Sequence, residues 1–231
     1  KNSQKNVAHH YDLSTEMYKL FLDRDLQYTC AYYNDPETET LEQAQMNKKR
    51  HVVAKLNIKD GMTIAELGCG WGGFALYAAQ VADEKVTSVN ISKEQIAHAK
   101  ERAKALGVED RVDFQLMDYR DLRGQFDRVV SIGMMEHVGI GHLDEYFGQI
   151  RNCLTEKGYA VVHSIGRMTP PGTTGPFIRK YIFPGGYVPA LSEVFASTER
   201  LGLWVCDAEI LRLHYYYTIR DWRVRFENKR T

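Results

Sequence analysis

The sequence predicts an α/β domain built on a doubly wound, mostly parallel sheet. Three observations carry that expectation. Residues Thr63 to Gly73 read T-I-A-E-L-G-C-G-W-G-G, an apolar strand that meets an acid and then a turn with four glycines. Beyond it, short apolar runs alternate with segments of helical periodicity, the pattern of β-α-β units. Within that alternation, Phe126 to Ile132 (F-D-R-V-V-S-I) reads as a buried central strand.

The elements follow in order. Residues Val7 to Leu56 are expected to be helical, with Met17, Leu20 and Phe21 at helical spacing. They form an N-terminal helical cap over residues 1–56, ahead of an α/β core over residues 57–231, both within one domain. Asp60-Gly61 is a turn. Strand Thr63 to Leu67 leads into helix Phe74 to Val81, then strand Lys85 to Val89. A helix from Lys93 to Leu106 is stopped by Gly107. Strands Val112 to Leu116 and Phe126 to Ile132 follow, then helix His142 to Leu154 and strand Tyr159 to His163. Trp204 to Leu213 reads as one more strand, and Ile219 to Asn228 as a helix. Ligands of such sheets bind beyond the carboxyl ends of the strands, where Gly68, Asn90, Asp118, Gly133 and His163 fall.

Composition bounds the function. The chain has 231 residues, 44% apolar and 26% charged, ordinary for a globular domain. Its net charge is zero, so no nucleic-acid partner is expected. The last stretch is locally basic: Arg212, Arg220, Arg223, Arg225, Lys229 and Arg230 face only Asp221 and Glu227. Such a face suits either anionic lipid head groups or plain solvent. Cys30, Cys69, Cys153 and Cys206 form no metal-type pair. No leader or membrane-spanning run is visible, which gives the expectation of a reduced, cytoplasmic setting. The first residue is Lys, so a piece of a longer protein is expected.

The glycine turn is the chemical centre. Glycine takes φ > 0 and lets the backbone approach a ligand. The N–H groups of the next helix point at whatever rests on the turn. Gly68, Gly70 and Gly73 formally fit the dinucleotide fingerprint G-x-G-x-x-G. A dinucleotide site also wants an acid at the end of the second strand, and Asn90 stands there instead. The acid comes earlier, as Glu66, in the pattern E-x-G-x-G. That pattern resembles the first motif of S-adenosylmethionine-dependent methyltransferases. A tight strand-to-helix turn with no ligand is the competing account, but four glycines weaken an unliganded turn through their entropy.

Further motifs sharpen the resemblance. His10-Tyr11-Asp12-Leu13-Ser14 is followed by Phe21-Leu22-Asp23 and Tyr28-Thr29-Cys30-Ala31-Tyr32. Later come Asp118-Tyr119-Arg120-Asp121, Gly133-Met134-Met135-Glu136-His137-Val138-Gly139 and His163-Ser164-Ile165-Gly166. Tyr181-Ile182-Phe183-Pro184-Gly185-Gly186 and His214-Tyr215 close the series. In this order and spacing the set resembles the cyclopropane-fatty-acyl-phospholipid synthases and mycolic acid cyclopropane synthases. The resemblance runs from about His9 to Trp222. It implies a Rossmann-like class I methyltransferase fold whose closing hairpin strand and last helices lie beyond residue 231.

The resemblance also implies a reaction: the methyl carbon of S-adenosylmethionine is added to a cis double bond of a phospholipid acyl chain and closed to a ring. A bound bicarbonate ion acts as base. By motif match its cage is Cys30, Glu136, His163, Ile165 and Tyr215. His163 and Tyr215 donate to the anion, and backbone groups at Cys30 and Ile165 complete the shell. Glu136 is tolerated beside an anion only with a proton between the two. The bland accounts are a buried thiol for Cys30, a structural strand-end histidine for His163, packing for Tyr215 and helix-dipole stabilisation for Glu136.

For the cofactor, Gly68, Gly70 and Gly72 are expected under the methionine part and Asn90 at the ribose, in place of the family's usual Thr. Ser92 and Gln95 belong to the same segment and also read as a capping box. Met117, Asp118 and Tyr119 flank the adenine, Asp118 accepting from its amino group. Tyr28 and Thr29 close over the cofactor, and Glu66 orients the turn or the methionine amine. Phe177, Tyr181, Ile182 and Phe183 are expected on the acyl channel or on a membrane-facing rim. The expected partners are unsaturated phospholipid acyl chains at a membrane surface, met peripherally from the cytoplasmic side, and a second copy in a homodimer. Relatives that make methyl-branched or methylene lipids, amine N-methyltransferases and non-catalytic cofactor- or lipid-binding modules are the rival readings.

Overall fold

The computed structural model describes residues 15–82, 85–139, 141–183 and 185–230. The His10–Ser14 motif and the start of the expected Val7–Leu56 helical stretch lie outside them. Helices α1 (Thr15–Lys19) and α2 (Leu41–Leu56) precede the core. The core runs β1 (Ile64–Leu67), α3 (Gly73–Ala82), β2 (Val86–Asn90), α4 (Lys93–Ala105), β3 (Val112–Leu116), a 3₁₀ turn (Tyr119–Asp121) and β4 (Phe126–Ile132). Then come α5 (Met135–Val138), α6 (Leu143–Cys153), β5 (Leu154–His163), a π-helical turn (Ile178–Ile182), α7 (Leu191–Arg200) and α8 (His214–Asn228).

Five strands pair in the order β3-β2-β1-β4-β5, all in parallel. The pleat sends alternate residues of β1 to opposite faces. Ile64 joins Phe74, Leu76, Ile96 and Phe114 on one side. Ala65 and Leu67 join Tyr146, Phe147 and Ile150 on the other. All four residues of β1 are buried, as a central strand covered on both faces must be. The chain winds outward from β1 to β3, then crosses back to place β4 on the free side of β1. That reversal opens a crevice beyond the carboxyl ends of β1 and β4.

Two expectations fail in instructive ways. The helical reading of residues 7–56 breaks between Lys19 and Leu41. The Asp23 carboxylate accepts from the N–H groups of Gln27 (2.8 Å) and Asp25 (3.1 Å), and Leu26 takes φ 54°. A side chain that captures nearby N–H groups competes with the helix, so a turn wins. The helix restarts at Thr40, where Thr40 and Gln43 form a reciprocal capping box. The strand expected over Trp204–Leu213 does not form among the described residues. Its apolar run finds no strand to pair with, and Trp204 is 93% exposed. Ion pairs from Lys55 to Asp207 and Glu209, and a hydrogen bond between His51 Nε2 and Glu209 (2.6 Å), tether this segment to α2 instead.

The basic stretch at the chain's end is also mostly internal business. Arg220 pairs with Asp221, Arg223 with Glu227, and Arg225 with Glu42 of α2. The first two pairs lie within α8; the Arg225–Glu42 pair, with Arg225 donating to the Leu22 carbonyl (3.0 Å) and Arg220 to the Pro36 carbonyl (2.9 Å), docks α8 onto the cap.

In the glycine turn, Gly68, Gly70 and Gly72 all take positive φ, at 84°, 52° and 83°. A Cβ on Gly72 would sit 2.7 Å from the Phe114 ring and 2.8 Å from the Ala99 methyl. Gly72→Ala is therefore expected to lower the unfolding free energy by about 2 kcal/mol, from strain and overpacking together. Urea denaturation of the two proteins checks this; an unchanged midpoint would show that the turn relaxes freely.

Candidate active site

A cavity of about 170 Å³ occupies the crevice at the strand ends. Ten of the twelve expected cofactor residues line it: Tyr28, Thr29, Glu66, Gly68, Gly70, Asn90, Gln95, Met117, Asp118 and Tyr119. Gly72 and Ser92 do not. Gly72 lies against Phe114 and Ala99 in the core, so its glycine serves close packing. The Ser92 hydroxyl caps α4 by accepting from the Gln95 N–H at 3.3 Å. Gly70 faces open space, so the cavity floor there is bare backbone.

The expected capping box is only half formed. The Gln95 side chain accepts from Asn90 Nδ2 at 2.7 Å rather than from Ser92. Asn90 Nδ2 also donates to the Gly70 carbonyl (3.2 Å), while its Oδ1 takes the N–H groups of Ile91 (2.7 Å) and Ser92 (3.3 Å). Asn90 thus ties the glycine turn to the start of α4. Gln95 Nε2 is left buried without a hydrogen-bond partner, a donor on the cavity wall. Asp118 receives a bidentate fork from Arg120, at 2.9 Å and 2.7 Å. Arg120 itself lines the cavity mouth and reaches towards Glu145 (4.0 Å). Glu66 is fully enclosed beneath the turn and accepts from Ser88 Oγ at 2.5 Å. Burial pushes its carboxyl up to about 7.

A second, smaller cavity of about 20 Å³ adjoins the first. That exceeds the roughly 10–15 Å³ that one water requires. Cys30, Glu136, His163, Ile165 and Tyr215 all line it, although they come from the cap, α5, the end of β5, the loop beyond it and α8. Phe183 lines it too, with its ring 6.4 Å from Tyr28 and 5.5 Å from His137. Tyr28, Thr29, Gly133 and His137 line both cavities and form the wall between them.

Burial sets the charge state of this small cavity. It lowers His163 and His137 each to about 4, so both rings are neutral at pH 7. His163 Nδ1 is buried without a hydrogen-bond partner. Burial raises the Cys30 thiol to about 11 and holds the Tyr215 hydroxyl well above its ordinary range, so both keep their protons. It raises Glu136 as well. Glu136 accepts from Ser164 Oγ (2.8 Å) and from the Ile165 N–H (3.3 Å). The backbone donor expected to complete an anion shell at Ile165 is therefore turned towards Glu136.

Sequence reading missed two groups. His137 carries no signal in the sequence beyond its motif, yet it lies in the wall between the cavities. Lys48 was not singled out at all. It projects from the buried face of α2 to Thr29. A lysine at a position where helical spacing calls for an apolar residue, between Ala44 and Val52, was the available signal.

Among the described residues no group of His, Cys, Asp and Glu could hold a metal. The whole chain, residues 1–231, matches the family model described as mycolic acid cyclopropane synthetase. A probable fatty acid methyltransferase of Pseudomonas putida is 43% identical over 231 residues, covering 96% of this chain and 58% of that protein. The cyclopropane-fatty-acyl-phospholipid synthase of Escherichia coli is 42% identical over 190 residues, covering 82% of this chain and 48% of that protein. The chain thus spans about half the length of these relatives. The solved cyclopropane synthase MmaA2 from Mycobacterium tuberculosis superposes with a TM-score of 0.92 at 30% identity, covering 97% of this chain and 83% of that one. The mycolic acid cyclopropane synthase CmaA1, solved with SAH and CTAB, gives 0.90 at 29% identity, with the same coverage. With its five-stranded parallel sheet of class I methyltransferase type and a match over its full length, this chain belongs to the mycolic acid cyclopropane synthetase family.

Proposed function

We propose that the chain carries the active site of an S-adenosylmethionine-dependent methyltransferase that forms a cyclopropane ring on the cis double bond of an unsaturated phospholipid acyl chain. One observation carries this reading: Cys30, Glu136, His163, Ile165 and Tyr215 meet at a small cavity that shares a wall with a cofactor-sized pocket. When bound, S-adenosylmethionine supplies an activated methyl group and bicarbonate supplies a base. The residues present suit both groups. Gln95 Nε2 is an unpartnered donor on the larger pocket, above a turn whose Gly70 leaves room for a ligand. His163 Nδ1 is an unpartnered polar atom at the smaller one, beside the protonated Tyr215.

Residues 1–56 serve as the cap and 57–231 as the core of one catalytic domain. Gly68 and Gly70 carry the methionine part, Gln95 meets the ribose, and Met117, Asp118 and Tyr119 surround the base. The neutral His163 and Tyr215 orient a small anion by hydrogen bonds. Glu136 already holds two donors, and its raised carboxyl shares a proton with an anionic neighbour, which removes the repulsion between them. The rings of Tyr28, Tyr215, Phe183 and Trp222 cluster here, with Tyr28 and Trp222 5.3 Å apart. They exclude water and offer π-faces to the positive charge left on an alkylated chain. Positioning of donor and alkene in such a site is worth up to about 7–11 kcal/mol.

No helix among the described residues is long and apolar enough to cross a membrane. Contact with lipid falls instead to the π-helical turn, where Phe177 (64%) and Tyr181 (61%) are exposed beside Arg179 and Lys180. Phe183, two residues on, faces inward to the small cavity and belongs with the acyl path. A second reading keeps the same site but ends in a methyl branch, because the 43% identical relative is a probable fatty acid methyltransferase.

Labelled S-adenosylmethionine and unsaturated phospholipid vesicles, with and without bicarbonate, test the reading; NMR of the acyl product separates a ring from a branch. Glu136→Gln is expected to lower kcat by about 100-fold or more, with the Kd for S-adenosylhomocysteine within threefold. Full activity with unchanged bicarbonate dependence would remove Glu136 from the chemistry. The buried histidines also make stability pH-dependent. Their folded pKa lies below the unfolded value of about 6.5, so as pH falls from there towards about 4 the unfolded chain gains protons that the folded chain refuses. Stability is expected to drop over that window by about 1–3 kcal/mol per histidine. Urea midpoints at pH values of about 7 and 5 check this, and His137→Phe should flatten the difference.

A further inference from the structure

We propose that Lys48, on the far side of the wall between the two cavities, is a positioning residue that fixes that wall and supplies positive charge behind the small anion site. The proposal rests on the reading of the small cavity as an anion site.

The geometry begins on α2, where Lys48 is 2% exposed and Gln45 is 1% exposed. The Lys48 ammonium donates to Thr29 Oγ1 at 2.5 Å. One turn earlier, Gln45 Nε2 donates to the carbonyls of Thr29 (2.9 Å) and Gln27 (3.2 Å). Two adjacent positions on one helix face thus grip the segment that forms the wall. On its other side the Thr29 methyl is pressed against Gly133: a Cβ on Gly133 would fall 2.3 Å from Thr29 Cγ2. The next residues extend the grip to the cage. Cys30 lines the small cavity, and the Ala31 N–H donates to Thr218 Oγ1 (2.9 Å) on α8, the helix that carries Tyr215.

The electrostatics point the same way. Among the described residues Lys48 forms no ion pair, and Asp23 and, more weakly, Asp25 attract it only from farther away, whereas its neighbour Lys49 pairs with Asp25 at 2.5 Å. A buried cation without a close counter-ion is costly, and an anion in an adjoining cavity offsets that cost. Burial lowers Lys48 to about 8, so it stays mostly charged at neutral pH. Its charge reaches both cavities: it contributes to holding His163 neutral, and it favours the charged forms of Glu66 and Cys30. A methionine would fill the same space and satisfy the apolar face of α2. The lysine is a local conflict of the kind that functional sites retain.

The test measures binding of ¹³C-bicarbonate by NMR line broadening on the full chain, with S-adenosylhomocysteine present, and S-adenosylhomocysteine affinity by calorimetry. Lys48→Met is expected to weaken bicarbonate binding at least tenfold and to shift the bicarbonate concentration for half-maximal activity equally, with S-adenosylhomocysteine affinity within threefold. Thr29→Val, which keeps the charge and removes only its acceptor, is expected to weaken bicarbonate binding three- to tenfold. A folded Lys48→Met protein that binds bicarbonate within twofold of the parent overturns the proposal. So does an equal loss of both ligands, which would assign Lys48 to the fold alone. If Lys48→Met does not fold, Thr29→Val decides by the same criterion, and failure of both to fold also overturns it. A parent protein that binds no bicarbonate would instead defeat the underlying reading of the cavity, and this proposal with it.

Discussion

Thr29 is held from two directions, and much of the site depends on that. A lysine ammonium and a glutamine amide of α2 hold it from behind, and the bare backbone of Gly133 lets it come close in front. The polypeptide between Gln27 and Ala31 therefore runs as a thin, fixed partition. A cavity of about 170 Å³ lies on one side and one of about 20 Å³ on the other. Chemistry that joins a sulfonium donor to an alkene and then removes a proton needs its two reagents separate yet adjacent. A partition one segment thick gives that arrangement, provided it does not move. Hydrogen bonds to buried groups suit the task, because leaving such groups unmatched in an apolar surrounding costs about 1–3 kcal/mol each.

Low polarity around the partition decides the protonation states. Glu136, His163, His137, Cys30 and Tyr215 are all pushed towards their neutral forms by the same cause, loss of water. In the proposed reading, neutral donors beside one deeply placed ammonium form the site of a small anion. In the proposed reaction, the same dryness is what keeps water from a positively charged acyl intermediate. Hydrogen bonding and exclusion of solvent are thus two results of one packing arrangement.

Particular residues show how far the sequence could be read. The glycine turn, the parallel doubly wound class of the core and the bounds of β3 and β4 followed from periodicity and turn chemistry, whereas the strand order came from the fold. The five residues of the small cavity were legible only through the family resemblance, because they are scattered from Cys30 to Tyr215 and none has a local signature. Asn90 was placed at the cofactor, yet both of its side-chain atoms hold the protein's own backbone and Gln95. Gly72 carried the right conformational need with a different reason, the nearness of Phe114 and Ala99. The strand expected over Trp204–Leu213 had the composition of a strand, but a strand is a property of a pair, and one segment cannot state whether its partner is beside it.

By itself the sequence determined what local physics controls: where the glycine-rich turn must go left-handed, that a helix begins at Lys93 and stops before Gly107, and which apolar runs become strands β3 and β4. Only the tertiary structure decided which polar groups lost their water, and hence that Lys48 stands behind the wall, that His163 is neutral and that Glu136 faces Ser164 and Ile165. The reason is that desolvation and charge coupling depend on distances across the fold. Residues 48, 136 and 163 are far apart along the chain, and their ionisation is fixed by what the folded protein packs around them.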